Sequence, residues 1–319
     1  MKVVFTFPGQ GSQRVGMGQD FVLKSEDARS LFARAEAILG YDLAALCADG
    51  PSEALSQTEA AQPALYVTAC GALVALQRNV AIGRPFAVAG HSVGEFAALY
   101  AAGAIDFEAG LDLVRRRAAL MASAAAARPG QMAAILGLDA GVGELICAEV
   151  QGAGIVVVAN DNGQGQIVLS GDPEAVERAG AIAKERGARR VIGLAVSGAF
   201  HSPLMAEAAS EFSTMLEDAP IRDPHVPVVS NTTATYSRSR AEIISGLQSQ
   251  MAGRVRWRET LDRLVGEQVD LYLELGSGDV LTGLLRRHSA DARCINVSTM
   301  DDLERVKLEI GEARSGSLG

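Results

Sequence analysis

The stretch that most constrains this chain is Gly90-His91-Ser92-Val93-Gly94. A serine with glycine two residues away on either side is the pattern of a nucleophile elbow, a sharp strand-to-helix turn that lifts a hydroxyl clear of the backbone. The flanks fit that context. Phe86-Ala87-Val88-Ala89 is short and apolar, as a buried strand requires. Glu95-Phe96-Ala97-Ala98-Leu99-Tyr100-Ala101-Ala102 is rich in helix formers. Ser92 is thereby placed at a helix N-terminus, where free backbone N–H groups favour developing negative charge. With 34 glycines in 319 residues the same pattern also arises as an ordinary turn, so the rest of the chain has to decide.

Composition narrows the classes. With 48% hydrophobic and 21% charged residues, the chain has ample apolar material for a core. A net charge of −9 argues against a nucleic-acid partner. Residues 1–7 are too weakly charged and too short to read as a secretory signal, and no apolar run reads as membrane-spanning. Cys47, Cys70, Cys147 and Cys294 lie far apart, each in or beside an apolar segment. Buried free thiols in a reducing, cytoplasmic compartment are expected, with no metal site.

Along the chain, residues 2–7 read as a first strand that runs into Pro8-Gly9-Gln10-Gly11-Ser12-Gln13. Glycines there let the main chain approach a substrate closely and offer it an N–H, although a plain connecting loop has the same composition. Residues 25–39 read as a helix with Ser25 as N-cap and Gly40 as its stop, and residues 64–76 as another after Pro63. A long helical pattern over 107–127 carries Arg115, Arg116 and Arg117. Neighbours on a helix point about 100° apart. Arg117 lies four residues after Leu113 and four before Met121, so it shares their apolar side. A buried arginine needs an anionic partner, either a protein carboxylate or an anionic substrate.

Arg128-Pro129-Gly130 breaks the helical pattern, and a self-contained unit follows. Strands are expected at 132–138, 155–159, 166–170 and 190–196, and helices at 142–150 and 173–186, with Asn160-Asp161-Asn162-Gly163-Gln164-Gly165 as a turn. The order β-α-β-β-α-β is that of a ferredoxin-like subdomain. The expected organisation is a large α/β part made of residues 1–127 and 197–319, with the small unit, 128–196, inserted in it. Strands at 226–230, 271–275 and 294–297 alternate with helices at 241–251, 257–264 and 280–287, and residues 314–319 read as a frayed end. The fold class is therefore α/β: a hydrolase-like, mostly parallel sheet flanked by helices.

A serine needs a base to act as a nucleophile, and the chain has four histidines. His91 adjoins Ser92 but points elsewhere on the turn and reads as structural. His225, in a Pro-flanked loop, and His288, at a helix end, read as solvent-exposed. His201, in Ser197-Gly198-Ala199-Phe200-His201-Ser202-Pro203 at the subdomain boundary, is the candidate base, and His288 is the alternative for an ordinary hydrolase. No carboxylate between Ser92 and His201 stands in an obvious strand-end loop, so a Ser–His pair oriented by backbone or amide groups is expected.

These residues carry a resemblance. Phe7-Pro8-Gly9-Gln10-Gly11-Ser12-Gln13, Thr58-Glu59, Gln62-Pro63-Ala64-Leu65, the elbow through Phe96, Arg117 with Met121, Gly198-Ala199-Phe200-His201-Ser202, Gln250 and Glu274-Leu275-Gly276-Ser277-Gly278-Asp279-Val280-Leu281 occur in order across nearly the whole chain. Together they resemble the malonyl-CoA:acyl carrier protein transacylases of fatty-acid synthesis and the acyltransferase domains of polyketide synthases. The resemblance implies that Ser92 takes the acyl group as an ester, with His201 as general base and then acid. It implies an oxyanion hole from the backbone N–H groups of Gln10 and Val93. It implies that Arg117 holds the malonyl carboxylate, that Gln250 orients His201 through its backbone carbonyl, and that Phe200 disfavours an α-methyl group. Asn160 and Asn162 are expected to line the cleft. Malonyl-CoA is the implied donor and acyl carrier protein the implied partner, with phosphopantetheine carried by that partner, no bound cofactor, no metal, no membrane and a monomeric enzyme. Carrier proteins of such systems are acidic, so Arg189-Arg190, Lys184-Arg186 and Arg254-Arg256-Arg258 are candidate docking clusters. Val93, Phe96 and Gly276-Ser277-Gly278-Asp279 depart from the commoner family residues. They leave open primary fatty-acid synthesis, a trans-acting polyketide acyltransferase and the malonyl transferase of malonate decarboxylase. A serine hydrolase or thioesterase shares Ser92 and a histidine but has no use for Arg117.

Overall fold

A computed structural model of the chain describes residues 1–316. Ten strands form two sheets: β1 (Val3–Phe7), β2 (Ala87–Gly90), β3 (Gln131–Leu136), β4 (Val156–Gly163), β5 (Gln166–Gly171), β6 (Arg190–Gly193), β7 (Val228–Val229), β8 (Tyr236–Ser237), β9 (Leu271–Leu275) and β10 (Cys294–Val297). The larger sheet has the order β10-β9-β1-β2-β7-β8. Its first five strands run parallel, and β8 closes one edge antiparallel to β7. Every residue of β1, β2 and β9 is buried, as expected of strands with helices on both faces. The mixed α/β character read from the sequence holds.

Register positions the elbow. Phe7 pairs with Gly90, so β1 and β2 end side by side, and the loops that leave them touch. A Cβ on Gly9 would sit 2.5 Å from the His91 carbonyl oxygen, and one on Gly94 would sit 2.2 Å from that of Phe7. Only glycine lets these two backbones approach so closely.

The second sheet, β4-β5-β3-β6, is antiparallel throughout. Its strands alternate in allegiance with the two-residue period of a pleat. Ala133 and Ile135 of β3 join a separate apolar cluster with Ile146, Val158 and Val176, whereas Met132 and Ala134 face the main core. The expected turn at 160–165 is shorter than its composition suggested. Asn160 to Gly163 continue β4, and only Gln164 and Gly165 make the loop, both with positive φ (45° and 71°). The polar residues enter the strand because they have partners in the segment 255–258. Asp161 N donates to the Val255 carbonyl at 3.0 Å, Val255 N to that of Ala159 at 2.8 Å, and Arg258 Nε to Asp161 at 2.9 Å.

Four other expectations change. The helix after Gln57 runs Thr58–Asn79, with Pro63 inside it rather than before it. Pro63 forfeits one hydrogen bond near the helix start, where burial of both flanks outweighs the loss. This helix is long and apolar enough to cross a membrane, contrary to the reading of the sequence, but 83% of its apolar window is buried inside the molecule. The strand expected at 226–230 is only two residues long. A C-terminal helix, Met300–Gly316, takes in residues 314–316 of the expected frayed end; Leu303, Val306 and Ile310, ahead of them, are buried. Residues 317–319 of that expected frayed end lie outside the described residues.

Candidate active site

Ser92 sits at the tip of the elbow with φ 52°, a left-handed conformation that costs a non-glycine residue energy and persists only when its surroundings dictate it. Asn231 supplies part of that constraint. Its Oδ1 accepts from Ser92 N at 2.7 Å, and its Nδ2 donates to the Gly90 carbonyl at 2.6 Å. The elbow is thus clamped from the loop after β7, by a residue that no local pattern singles out.

His201 meets Ser92 from the boundary loop. Nε2 lies 2.8 Å from Ser92 Oγ, and Nδ1 lies 2.9 Å from the Gln250 carbonyl and 3.1 Å from that of Gly253. Carbonyl oxygens only accept, so Nδ1 carries the hydrogen and the Nε2 lone pair faces the serine hydroxyl. Among the described residues no carboxylate backs the imidazole. Burial and then the nearby Arg117 charge push the His201 pKa down to about 3, so the ring is neutral at ordinary pH. His201 also has positive φ, 58°, and its N–H donates to the Met251 carbonyl at 3.1 Å.

Arg117 is 1% exposed and reaches the same point from the long helix Phe107–Ala127. Nη2 donates to Ser92 Oγ at 3.1 Å and to Gln250 Oε1 at 3.0 Å, and Nη1 donates to Gln62 Oε1 at 2.6 Å. Nε has no partner. The apolar side inferred from the helix period is therefore the side that faces the nucleophile. None of these hydrogen-bond partners is a carboxylate. Burial lowers the Arg117 pKa to about 10, opposed by the charge of Glu95.

Glu95, three residues after the nucleophile, is a buried carboxylate for which the sequence offers no local sign. It is 4% exposed, and its Oε2 accepts from Gln250 Nε2 at 2.6 Å. The same Nε2 donates to the Ser92 carbonyl at 3.1 Å. Burial raises the Glu95 pKa to about 7, against the hydrogen bonds from Gln250 and Asn231 and the charge of Arg117.

The other expected residues fall as follows. Gln10 and Val93 lie on the two backbones that meet at Gly9 and Gly94, and the Gln10 amide reaches Thr58 Oγ1 at 3.5 Å. Phe200 is buried in the main core beside His201. Asn162 bonds His91 Nε2 at 3.0 Å, and His91 packs against the Trp257 ring. Asn160 is buried at the bridge to Val255. His225 is exposed, as read from the sequence. His288 is not: its side chain is only 12% exposed and pairs with Asp262 at 3.1 Å, because the helix Val280–His288 packs its last turn against the helix Trp257–Gly266. A cleft of about 350 Å³ opens between residues 52–58 and Ala195, Val196 and Ser197, next to Gln10's partner Thr58 and to the loop that leads to His201. Among the described residues no group of three or more His, Cys, Asp or Glu is placed to hold a metal.

A serine on an elbow, a neutral histidine and a buried cation within hydrogen-bond reach of one oxygen define an acyl-transfer site. The chain matches the acyl transferase domain model over residues 4–285 and belongs to that family. Among its relatives is the malonyl CoA-acyl carrier protein transacylase of Bacillus subtilis, 40% identical over 304 residues that make up 95% of either chain. The solved malonyl CoA-acyl carrier protein transacylase of Coxiella burnetii superposes with a TM-score of 0.94 at 34% identity, covering 97% of this chain and 98% of that one. A malonyl-transacylase solved in complex with its type II polyketide-synthase acyl-carrier protein gives 0.92 at 38% identity, over 95% and 98%.

Proposed function

We propose that this protein transfers a malonyl group from malonyl-CoA to the phosphopantetheine thiol of an acyl carrier protein, through a malonyl ester on Ser92. The observation that carries the reading is the Arg117 guanidinium 3.1 Å from Ser92 Oγ, buried and with no carboxylate among its hydrogen-bond partners. A hydrolase of neutral esters has no need to bury a cation beside its nucleophile. An acyl group that ends in a carboxylate does, because a planar fork of donors holds that carboxylate in one orientation.

The steps follow from the geometry. Ser92 Oγ attacks the thioester carbonyl while its proton passes to His201 Nε2. The backbone N–H groups of Gln10 and Val93 stabilise the oxyanion, whose charge appears only in the transition state. His201 returns the proton to the CoA thiolate as the C–S bond breaks. The carrier's thiol then attacks the ester in the reverse sense, with its proton taken by the same nitrogen. The Gln250 and Gly253 carbonyls hold the imidazole in the required tautomer, the work a carboxylate does in hydrolases. The substrate carboxylate, by neutralising Arg117, also lifts one of the two main influences that depress His201 basicity. Asn162 steadies His91, the neighbour of the nucleophile, through its hydrogen bond to Nε2. The cleft of about 350 Å³ beside Ser197 is a route for the pantetheine arm.

The fold supports the finer assignments. The small sheet's order and antiparallel pairing, with one helix after β3 and one after β5, are those of a ferredoxin-like unit spanning 128–196. The elbow at the carboxyl end of a parallel strand supports a hydrolase-like large part made of 1–127 and 197–319. Four free cysteines, three of them buried, support a reducing, cytoplasmic setting, and no bound cofactor is required. The likeness to a transacylase in complex with a polyketide carrier supports, as a second reading, a carrier from polyketide synthesis.

Intact mass after brief mixing with malonyl-CoA tests the proposal. Wild type should gain a malonyl adduct and pass it to phosphopantetheinylated carrier protein. Ser92→Ala should gain none. Arg117→Ala should acylate about 100-fold more slowly, the loss expected when a charge-assisted contact worth about 1.5–3 kcal/mol is removed. Rapid release of free acid from neutral acyl esters, without a malonyl adduct, would identify a hydrolase instead.

A further inference from the structure

Glu95 is the one buried carboxylate at the site, and the acyl-transfer chemistry above does not use it. Its position is unusual. A buried arginine ordinarily takes a carboxylate directly, but here an amide lies between the two. Gln250 Nε2 donates to Glu95 Oε2 at 2.6 Å, and Gln250 Oε1 accepts from Arg117 Nη2 at 3.0 Å. The donor–acceptor order fixes the amide: its nitrogen must face the carboxylate and its oxygen the guanidinium. Glu95 therefore supplies the negative charge that a buried guanidinium requires while leaving the fork itself in contact only with neutral oxygens. Neutral hydrogen-bond partners are far easier for an incoming carboxylate to displace than an ion pair would be.

We propose that Glu95 is the indirect counter-ion of Arg117, and that a carboxylate arriving at the guanidinium displaces it from that role, so that seating a carboxylated acyl group is coupled to proton uptake at Glu95. The inference rests on the acyl-transfer reading of this site. Its physical basis is charge balance between groups that are almost fully buried. Before binding, Arg117 and Glu95 compensate each other. After binding, two anions share one cation, and the carboxylate that lacks direct contact with it takes the proton. The surrounding groups leave Glu95 as the titrating one. Arg117 is the charged group that acts on it, while Gln250 and Asn231 are neutral donors. His201 across Ser92 is held neutral with its pKa near 3, and burial likewise lowers that of His91. With its pKa raised to about 7 by burial, Glu95 lies where modest loss of its positive neighbour changes its state.

The test is calorimetric binding to Ser92→Ala protein, which cannot be acylated, with malonyl-CoA and acetyl-CoA at pH 7.5 in buffers of different ionisation heat. The expected result is that malonyl-CoA takes up about half a proton or more beyond acetyl-CoA. Ser92→Ala/Glu95→Gln should bind malonyl-CoA with that excess gone. In catalysis, kcat/KM for malonyl-CoA should fall by up to about tenfold per pH unit above pH 7, while that for acetyl-CoA stays flat, because a complex that gains a proton weakens as pH rises. An equal proton uptake for the two donors, or an excess that persists without Glu95, overturns the assignment. The comparison of donors needs no Glu95 variant, so it stands even if that substitution prevents folding. Failure of Ser92→Ala protein to bind malonyl-CoA at all overturns the acyl-transfer reading and this one with it.

Discussion

Phe200 and His201 are adjacent in the chain and face different problems. His201 turns through positive φ to reach Ser92, which commits Phe200 to the core on the preceding residue. A Cβ on Gly198 would already lie 2.9 Å from the Phe200 ring, so little room remains for the ring to move aside. A donor with a methyl group on the carbon between its carbonyl and carboxylate must find space near that ring. Phe200→Ser should lower the malonyl-to-methylmalonyl ratio of kcat/KM by roughly 10-fold, since a methylene-sized difference is worth about 1–3 kcal/mol. Competition between the two CoA esters measures it, and an unchanged ratio removes Phe200 from specificity. Residues of this kind were legible because pattern and period bear directly on them: Ser92 from its glycines, Arg117 from its place between Leu113 and Met121, His201 from its loop. Glu95 and Asn231 were not. A glutamate in the first turn of a helix ordinarily reads as a surface residue favoured by the dipole. What buries this one is Gln250, 155 positions away. Asn231 acts on Ser92 from 139 positions away, through contacts that no local spacing encodes.

Among the elements, the elbow and the β1 loop depend most on close backbone approach. A Cβ on Gly94 would lie 2.2 Å from the Phe7 carbonyl oxygen and 2.8 Å from that of Pro8. Both are main chain of a fully buried strand end, which cannot swing aside as a flexible side chain would. Gly94→Ala should therefore cost about 3 kcal/mol of stability, the upper range for overpacking, and should separate Ser92 from the Pro8-Gly9-Gln10 loop. Gly266→Ala, at a helix end with open space around its Cβ, is the comparison and should be close to neutral. Urea midpoints for the two variants decide the point; equal midpoints would mean that β1 and β2 are not held as tightly as their register indicates. The elements that the sequence misplaced share a cause. The length of β4 and the start of the Thr58–Asn79 helix are both settled by tertiary contacts that override local signals. Asn160 to Gly163 look like a turn until Val255 and Arg258 satisfy them, and Pro63 looks like a boundary until burial carries the helix past it.

At the scale of the whole molecule, the open question is how an anionic protein of net charge −9 receives an acidic carrier. Three basic clusters were candidates, and the structure separates them. Arg254, Arg256 and Arg258 pair with Glu144, Glu259, Asp161 and Asp262, so their charge is spent on holding the two sheets and the Trp257–Gly266 helix together. Arg186 pairs with Glu149. Arg189 and Arg190 are exposed and form no ion pair among the described residues. They lie at the start of β6, the edge strand of the small sheet, from which the chain runs through Ala195 and Ser197 along the cleft to His201. A carrier held there would have its pantetheine arm at the mouth of that cleft. Reversing both charges, Arg189→Glu with Arg190→Glu, should raise KM for carrier protein about tenfold and leave KM for malonyl-CoA unchanged. The two exposed arginines act by steering and by rim contacts that salt screens. Raising ionic strength should therefore weaken carrier binding in the wild type and have much less effect in the double variant. A carrier KM that is unchanged, or one that rises together with that for malonyl-CoA, would exclude the β6 edge as the docking face.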